Sequence, residues 1–127
     1  MPEKRLFEYA TIRIVPKVER EEFLNVGVIL YCRDLKFLQC LYTLKKEKIQ
    51  ALCGDLDCRE VEEHLKSIEK ICAGDPAGGP IAALDLASRF RWLTATRSTI
   101  VQTSRVHPGF CEDPVTTLQK LHTQLVL

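Results

Sequence analysis

Apolar and polar positions alternate from Phe7 to Val15, with Ala10, Ile12 and Ile14 on one side and Tyr9, Thr11 and Arg13 on the other. A period of two predicts a β-strand with two unlike faces, and Pro16 ends it. The polar turn Glu22-Phe23-Leu24-Asn25 then runs into Val26 to Cys32, where every residue but Gly27 is apolar or aromatic. Such a run predicts a strand covered on both faces, as a central strand is. Gly27 marks a close backbone approach or a bulge. Asn25 reads most simply as a turn residue whose amide bonds the local backbone. Arg33-Asp34-Leu35-Lys36 supplies a polar turn, and Phe37 to Tyr42 forms a third strand, which makes an antiparallel hairpin.

From Thr43 the apolar period moves towards 3.6. Leu44, Ile49, Leu52 and Cys53 predict a short helix closed by Gly54. Asp57 and Glu60 resemble a capping box ahead of a helix whose stripe is Val61, Leu65, Ile68 and Ile71 or Cys72. The stretch 73–80 is rich in Gly and Pro and reads as a mobile loop. A helical pattern through Ile81, Leu84 and Ala87 or Ser88 follows it. Thr99 to Val106 reads as a fourth strand joining the N-terminal hairpin. Asp113-Pro114 starts a final helix, because Asp caps free amides and Pro needs no amide partner at the first helical position. That helix docks through Val115, Leu118, Leu121 or His122, and Leu125. The pattern specifies an α+β fold. Residues 1–127 form one compact domain, a mainly antiparallel sheet of about four strands packed against three or four helices, with strands in one layer and helices in the other.

Length and composition agree with that reading. The chain has 127 residues, 46% hydrophobic and 28% charged, enough for one core and far from the disordered class. Eighteen Lys and Arg against 17 Asp and Glu give a net charge of +1, so no global field draws polyanions. No run approaches the roughly 20 apolar residues of a membrane span, and no signal-type core follows Met1, so a cytoplasmic location and no membrane partner are expected. The six cysteines, at 32, 40, 53, 58, 72 and 111, fall on strand and helix patterns and read as small buried hydrophobes that are reduced. Their spacing lacks a chelating pattern, so no metal is expected. His64, His107 and His122 are scattered, and no cofactor is implied.

No phosphate loop, dinucleotide fingerprint or paired-His motif is present. The candidate polar site is Arg13, Glu22, Asn25 and Arg105, near the ends of the expected strands. Asp85 and Arg89 are further polar residues close to sheet ends. Arginine could hold a carboxylate or phosphate there while an acid served as base. The simpler reading is an arginine and acid network that ties helix to sheet. Arg13, Glu22 and Asn25 are expected to form a connected cluster at one end of the sheet, because the chain turns back through Glu22 to begin the strand beside Arg13. A second candidate surface is Arg89, Arg91, Trp92 and Arg97, where guanidinium groups and an indole could meet phosphate and base. Its plainer reading is a helix C-terminus favoured by positive charge.

The run from Tyr9 to Pro16, followed by Arg20-Glu21-Glu22-Phe23-Leu24-Asn25-Val26-Gly27-Val28-Ile29-Leu30, resembles the opening of a bacterial domain-of-unknown-function family, number 3037 in that series. Arg105-Val106 and Asp113-Pro114 leading into a Leu-rich helix are similar to that family's ending. Leu24 stands where other members more often carry Val. The resemblance implies a compact bacterial protein and brings no reaction, cofactor or catalytic residue. It also implies an accessory role beside a protein partner, a HipA-like kinase being the one suggested. The leading reading is a binding or regulatory module that works through an exposed sheet edge or the arginine-rich face. The alternatives are a small phosphoester- or nucleotide-directed enzyme using Arg13, Glu22, Asn25 and Arg105, and a nucleic-acid-binding module.

Overall fold

The two faces of the first strand organise the molecule. In a computed structural model that describes residues 3–16, 22–52, 58–95, 97 and 99–127, β1 (Arg5–Ile14) pairs antiparallel with β2 (Leu24–Cys32). β2 pairs in turn with β3 (Phe37–Tyr42). After β3 come α1 (Lys46–Leu52), α2 (Cys58–Ala73) and α3 (Leu86–Leu93), then β4 (Val101–Thr103), β5 (His107–Cys111) and α4 (Pro114–Leu125). The five strands form one antiparallel sheet in the order β3-β2-β1-β4, and β5 pairs with the other half of β1.

β2 is buried along almost its whole length, as its unbroken apolar run requires. Its faces meet different helices, so the helices are not confined to one layer as expected. Ile29 and Tyr31, with Ile12 and Ile14 of β1, pack against Val61, Leu65 and Ile68 of α2 and Phe90 and Leu93 of α3. Val28, Leu30 and Cys32, with Phe7, pack against Leu118 of α4. Each of these fully buried side chains stabilises the fold by about 1.5–3 kcal/mol relative to exposure.

Gly27 fulfils both readings made of it. The register slips between Ile12 and Arg13, so Val26 is an extra residue on β2 and a bulge lies beside Gly27. A Cβ on Gly27 would also stand 2.7 Å from the Leu41 carbonyl oxygen.

Other expectations need correction. The strand expected over Thr99 to Val106 shrinks to β4, because Ser104 meets Thr11 with one backbone bond and supplies the other from its side chain. Its Oγ accepts from the Thr11 amide at 2.9 Å, and its own amide donates to Thr11 O at 2.9 Å. β5 has no strand-like sequence, since His-Pro-Gly-Phe-Cys carries two strand breakers, yet Pro108 and Gly109 are tolerable on an edge strand. The Gly- and Pro-rich stretch is not a formless loop: it holds 3-10 turns at Pro76–Gly78 and Pro80–Ala83, the first capped by Asp75. The helix expected from Ile81 therefore starts later, at Leu86, with Asp85 Oδ1 accepting from the Ser88 amide at 2.7 Å. In α4 the expected docking residue Val115 is 44% exposed, and Pro114 is buried in its place. Cys53, Gly54 and Asp57, which were expected to close one helix and cap the next, lie outside the described residues.

Candidate functional site

Arg13 sits where β1 is about to end, on the face opposite Ile12 and Ile14, and its cross-strand partner is Asn25. The hairpin thus brings two of the predicted residues together. The guanidinium stacks 3.9 Å from the centre of the Phe23 ring, an arrangement worth about 0.5–1 kcal/mol at a partly exposed site. Burial lowers the Arg13 pKa, but a guanidinium remains charged at any physiological pH. Asn25 does not bond the local backbone as expected. Its Nδ2 donates to Leu125 O at 3.3 Å, and so ties the start of β2 to the end of α4.

Four buried side-chain polar atoms lack a hydrogen-bond partner among the described residues, and three of them belong to this patch: Thr11 Oγ1, Arg13 Nε and Asn25 Oδ1. Buried polar groups are normally paired, so a concentration of orphans marks the patch as unusual. Nearby on the same side of the sheet, Thr43 Oγ1 and His122 Nε2 are 3.1 Å apart. Burial pushes the His122 imidazole pKa down, which favours the neutral ring. Among the described residues the patch offers the Arg13 charge with donors and acceptors around it, the equipment of recognition. Glu22 is exposed on the approach to β2, and Arg105 is exposed in the β4–β5 connection, where its carbonyl accepts from Ser104 Oγ at 2.8 Å.

Arg13→Met keeps the apolar stem against Phe23 while removing the charge and the orphaned Nε. The melting temperature is expected to stay within about 3 °C of the wild type, because a partly exposed cation–π contact contributes under about 1 kcal/mol. A thermal melt checks this. A fall of 10 °C would mean that the guanidinium holds the strand ends together.

The arginines of the second candidate surface are largely engaged within the molecule. Arg89 Nη1 donates to Ile71 O at 2.9 Å and Cys72 O at 3.1 Å, and so closes the end of α2. Arg91 makes a two-pronged pair with Glu8 of β1, both bonds 2.8 Å long, and that hydrogen bonding raises its pKa. Arg97 bonds the carbonyls of Trp92 and Leu93 and lies over the indole, 4.1 Å from the ring centroid. One indole face is therefore already stacked, although Trp92 is 41% exposed.

The open feature is the edge of β3. β3 ends the sheet, and Thr43 N donates to Val26 O at 2.8 Å. Ladder bonds recur at every second residue, so the backbone N–H and C=O groups of Leu38, Cys40 and Tyr42 point away from β2; Leu38 is buried, and Cys40 and Tyr42 are half-buried. Beside this edge lies a hollow of about 480 Å³ lined by Lys36, Leu38, Cys40, Glu69, Cys72 and Arg89, among others. Of the hollow's residues, sequence reasoning named only Arg89 as a candidate site residue and read Cys40 and Cys72 as small buried hydrophobes. Phe23 was also missed, and a single aromatic residue in a charged turn carries little signal of its stacking partner.

Fold and surface together define a single-domain α+β protein with a polar patch at one end of its sheet and an open sheet edge beside a helix. The chain belongs to the family described as "Protein of unknown function (DUF3037)", whose family model matches residues 9–126. No curated protein and no solved structure matches it. No described helix is long and apolar enough to cross a membrane, and among the described residues no three His, Cys, Asp or Glu side chains gather as metal ligands.

Proposed function

We propose that the protein is a binding module that takes an extended segment of a partner protein on the open edge of β3. The observation that carries this reading is the row of outward-facing backbone groups on a terminal strand beside a groove. Added strands gain affinity from main-chain hydrogen bonds and specificity from pockets for alternate side chains. Native edges are usually blunted by charge or proline. Phe-Leu-Gln-Cys-Leu-Tyr has neither, whereas β5 at the opposite side of the sheet contains Pro108, which has no amide to donate. Lys36 precedes β3, and Lys45, Lys46 and Lys48 follow it. The segment that fits is therefore uncharged in the middle and acidic at its ends. A HipA-like kinase, the partner implied by the family resemblance, is the first protein to search for such a segment.

The test is a peptide-display selection on the whole chain, followed by affinity measurements on the selected peptides. Extended sequences with acidic flanks are expected. N-methylation of every second peptide amide should weaken binding about tenfold or more, the loss of about 1.4 kcal/mol, while methylation of the alternate set should not. Equal tolerance of both sets, or binding that leaves the Leu38, Cys40 and Tyr42 amide resonances unmoved, would overturn the reading.

A further inference from the structure

Cys40 lies midway along β3 and is half-buried, while Cys72 lies near the end of α2 and is buried. Both line the hollow beside the β3 edge. Cys40 packs against the apolar cluster to which Cys72 belongs, and the neighbouring Cys40 thiol raises the pKa of Cys72. Among the described residues the cysteines are free thiols.

We propose that Cys40 and Cys72 form a reversible disulfide that closes the β3 groove under oxidising conditions; the closure rests on the docking reading given above, and the disulfide does not. The neighbouring Cys40 thiol and burial both hold the Cys72 thiol above its ordinary pKa, which disfavours its thiolate. Cys40 is the sulfur that meets an oxidant entering the groove. With a peroxide, the Cys40 thiolate attacks one oxygen and the O–O bond breaks. This leaves a sulfenic acid on Cys40, and the displaced oxygen departs as water after taking a proton. The Cys72 sulfur then attacks the Cys40 sulfur. The S–S bond forms, the S–O bond breaks, and the departing hydroxide takes the Cys72 proton to give a second water. Two thiols are oxidised and one peroxide is reduced. An S–S bond of about 2.0 Å is shorter than any contact between free thiols, so the step draws β3 towards α2. Cys40 is also one of the three residues whose backbone groups face outward, so the same step tightens the edge on which a partner strand would pair.

The molecule contains its own control. Cys32 and Cys111 also interact through their thiols, on the α4 side of the sheet. Both are buried, and Cys32 Sγ is engaged with Leu6 O at 3.4 Å. Reactivity follows access as well as thiolate character, so this pair should oxidise after Cys40 and Cys72.

The experiment treats the reduced full chain with hydrogen peroxide, blocks the remaining thiols and maps the linkages by mass spectrometry without reduction. A Cys40–Cys72 linkage is expected first. It should be reversed by a dithiol reductant and be missing in Cys40→Ser and in Cys72→Ala. Hydrogen exchange at the Leu38, Cys40 and Tyr42 amides should slow on oxidation, a readout that needs no partner. Display-selected peptides that bind the reduced chain should lose about tenfold or more in affinity after oxidation, and should bind the Cys72→Ala protein equally well with or without peroxide. A first product that links Cys32 to Cys111, links two chains, or leaves Cys40 as a sulfinic acid would overturn the thiol pair. A Cys40–Cys72 linkage that changes neither exchange nor binding would overturn the closure. Failure of the reduced chain to bind any extended peptide would overturn the docking reading instead, and the linkage map and exchange rates would still decide the disulfide and the tightening.

Discussion

Gly27→Ala is expected to destabilise the protein by about 3 kcal/mol or more, above the usual range for an overpacked core because the obstruction is backbone. The new Cβ would lie 2.7 Å from Leu41 O, 2.9 Å from Tyr42 Cβ and 3.1 Å from Ile12 Cδ1. Only the Ile12 methyl can swing aside. Leu41 O and Tyr42 Cβ are fixed by the β2–β3 ladder, so the methyl group has to push β3 away from β2 or deepen the bulge at Val26. Urea denaturation of the variant checks the value. A loss of less than about 0.5 kcal/mol, the size of an ordinary surface change, would show that the bulge absorbs the methyl group.

Arg89→Met is the other large effect, about 3 kcal/mol, which for a chain of this size lowers the melting temperature by roughly 10 °C. The variant keeps the apolar stem and loses both charge-assisted bonds to the last turn of α2. Ile71 O and Cys72 O are left without their charged donor at the end of α2. A hydrogen bond from a charged donor contributes about 1.5–3 kcal/mol, and positive charge at a helix C-terminus adds a few tenths more. Arg91→Met is the comparison. Its ion pair with Glu8 leaves the arginine side chain 56% exposed, and exposed pairs contribute under about 1 kcal/mol. Thermal melts of the two variants should therefore separate widely. Equal small losses would mean that Arg89 does not carry the end of α2.

The parts of the fold that were legible in the sequence are those whose signal is local. β1 shows its alternation, β2 its double coverage, α2 its stripe and α4 its Asp-Pro start, because each pattern is written in neighbouring residues. β5 was not legible. His107 to Cys111 becomes a strand only because β1 offers it an unpaired edge, and no local propensity announces that. The docking of α4 was misread at Val115 for a similar reason: a single turn of a helix can roll enough to bury Pro114 instead. In the candidate site, the closeness of Arg13 and Asn25 followed from hairpin geometry alone. The bond from Asn25 to Leu125 O spans 100 residues, and the placement of Arg89 at the end of α2 depends on how two helices pack. Neither has a sequence signature. The contact between Cys40 and Cys72 is of the same kind, since a cysteine on an apolar pattern looks the same whether or not a second thiol waits across the core.

The outer edge of β1 is shared between two short strands that come late in the chain, and the amide of Thr11 finds its partner, Ser104, 93 residues further on. During synthesis the β1–β2–β3 hairpin can form as soon as its own residues emerge, because its contacts are local. The outer edge of β1 stays uncovered until residues 101–111 have left the ribosome. At about 5–20 residues per second, that interval lasts several seconds. For that time the nascent chain presents a long, well-formed edge with an apolar face beside it, and two neighbouring chains on one messenger could pair there. The most exposed moment in the life of this protein is thus set by the order in which its strands are made.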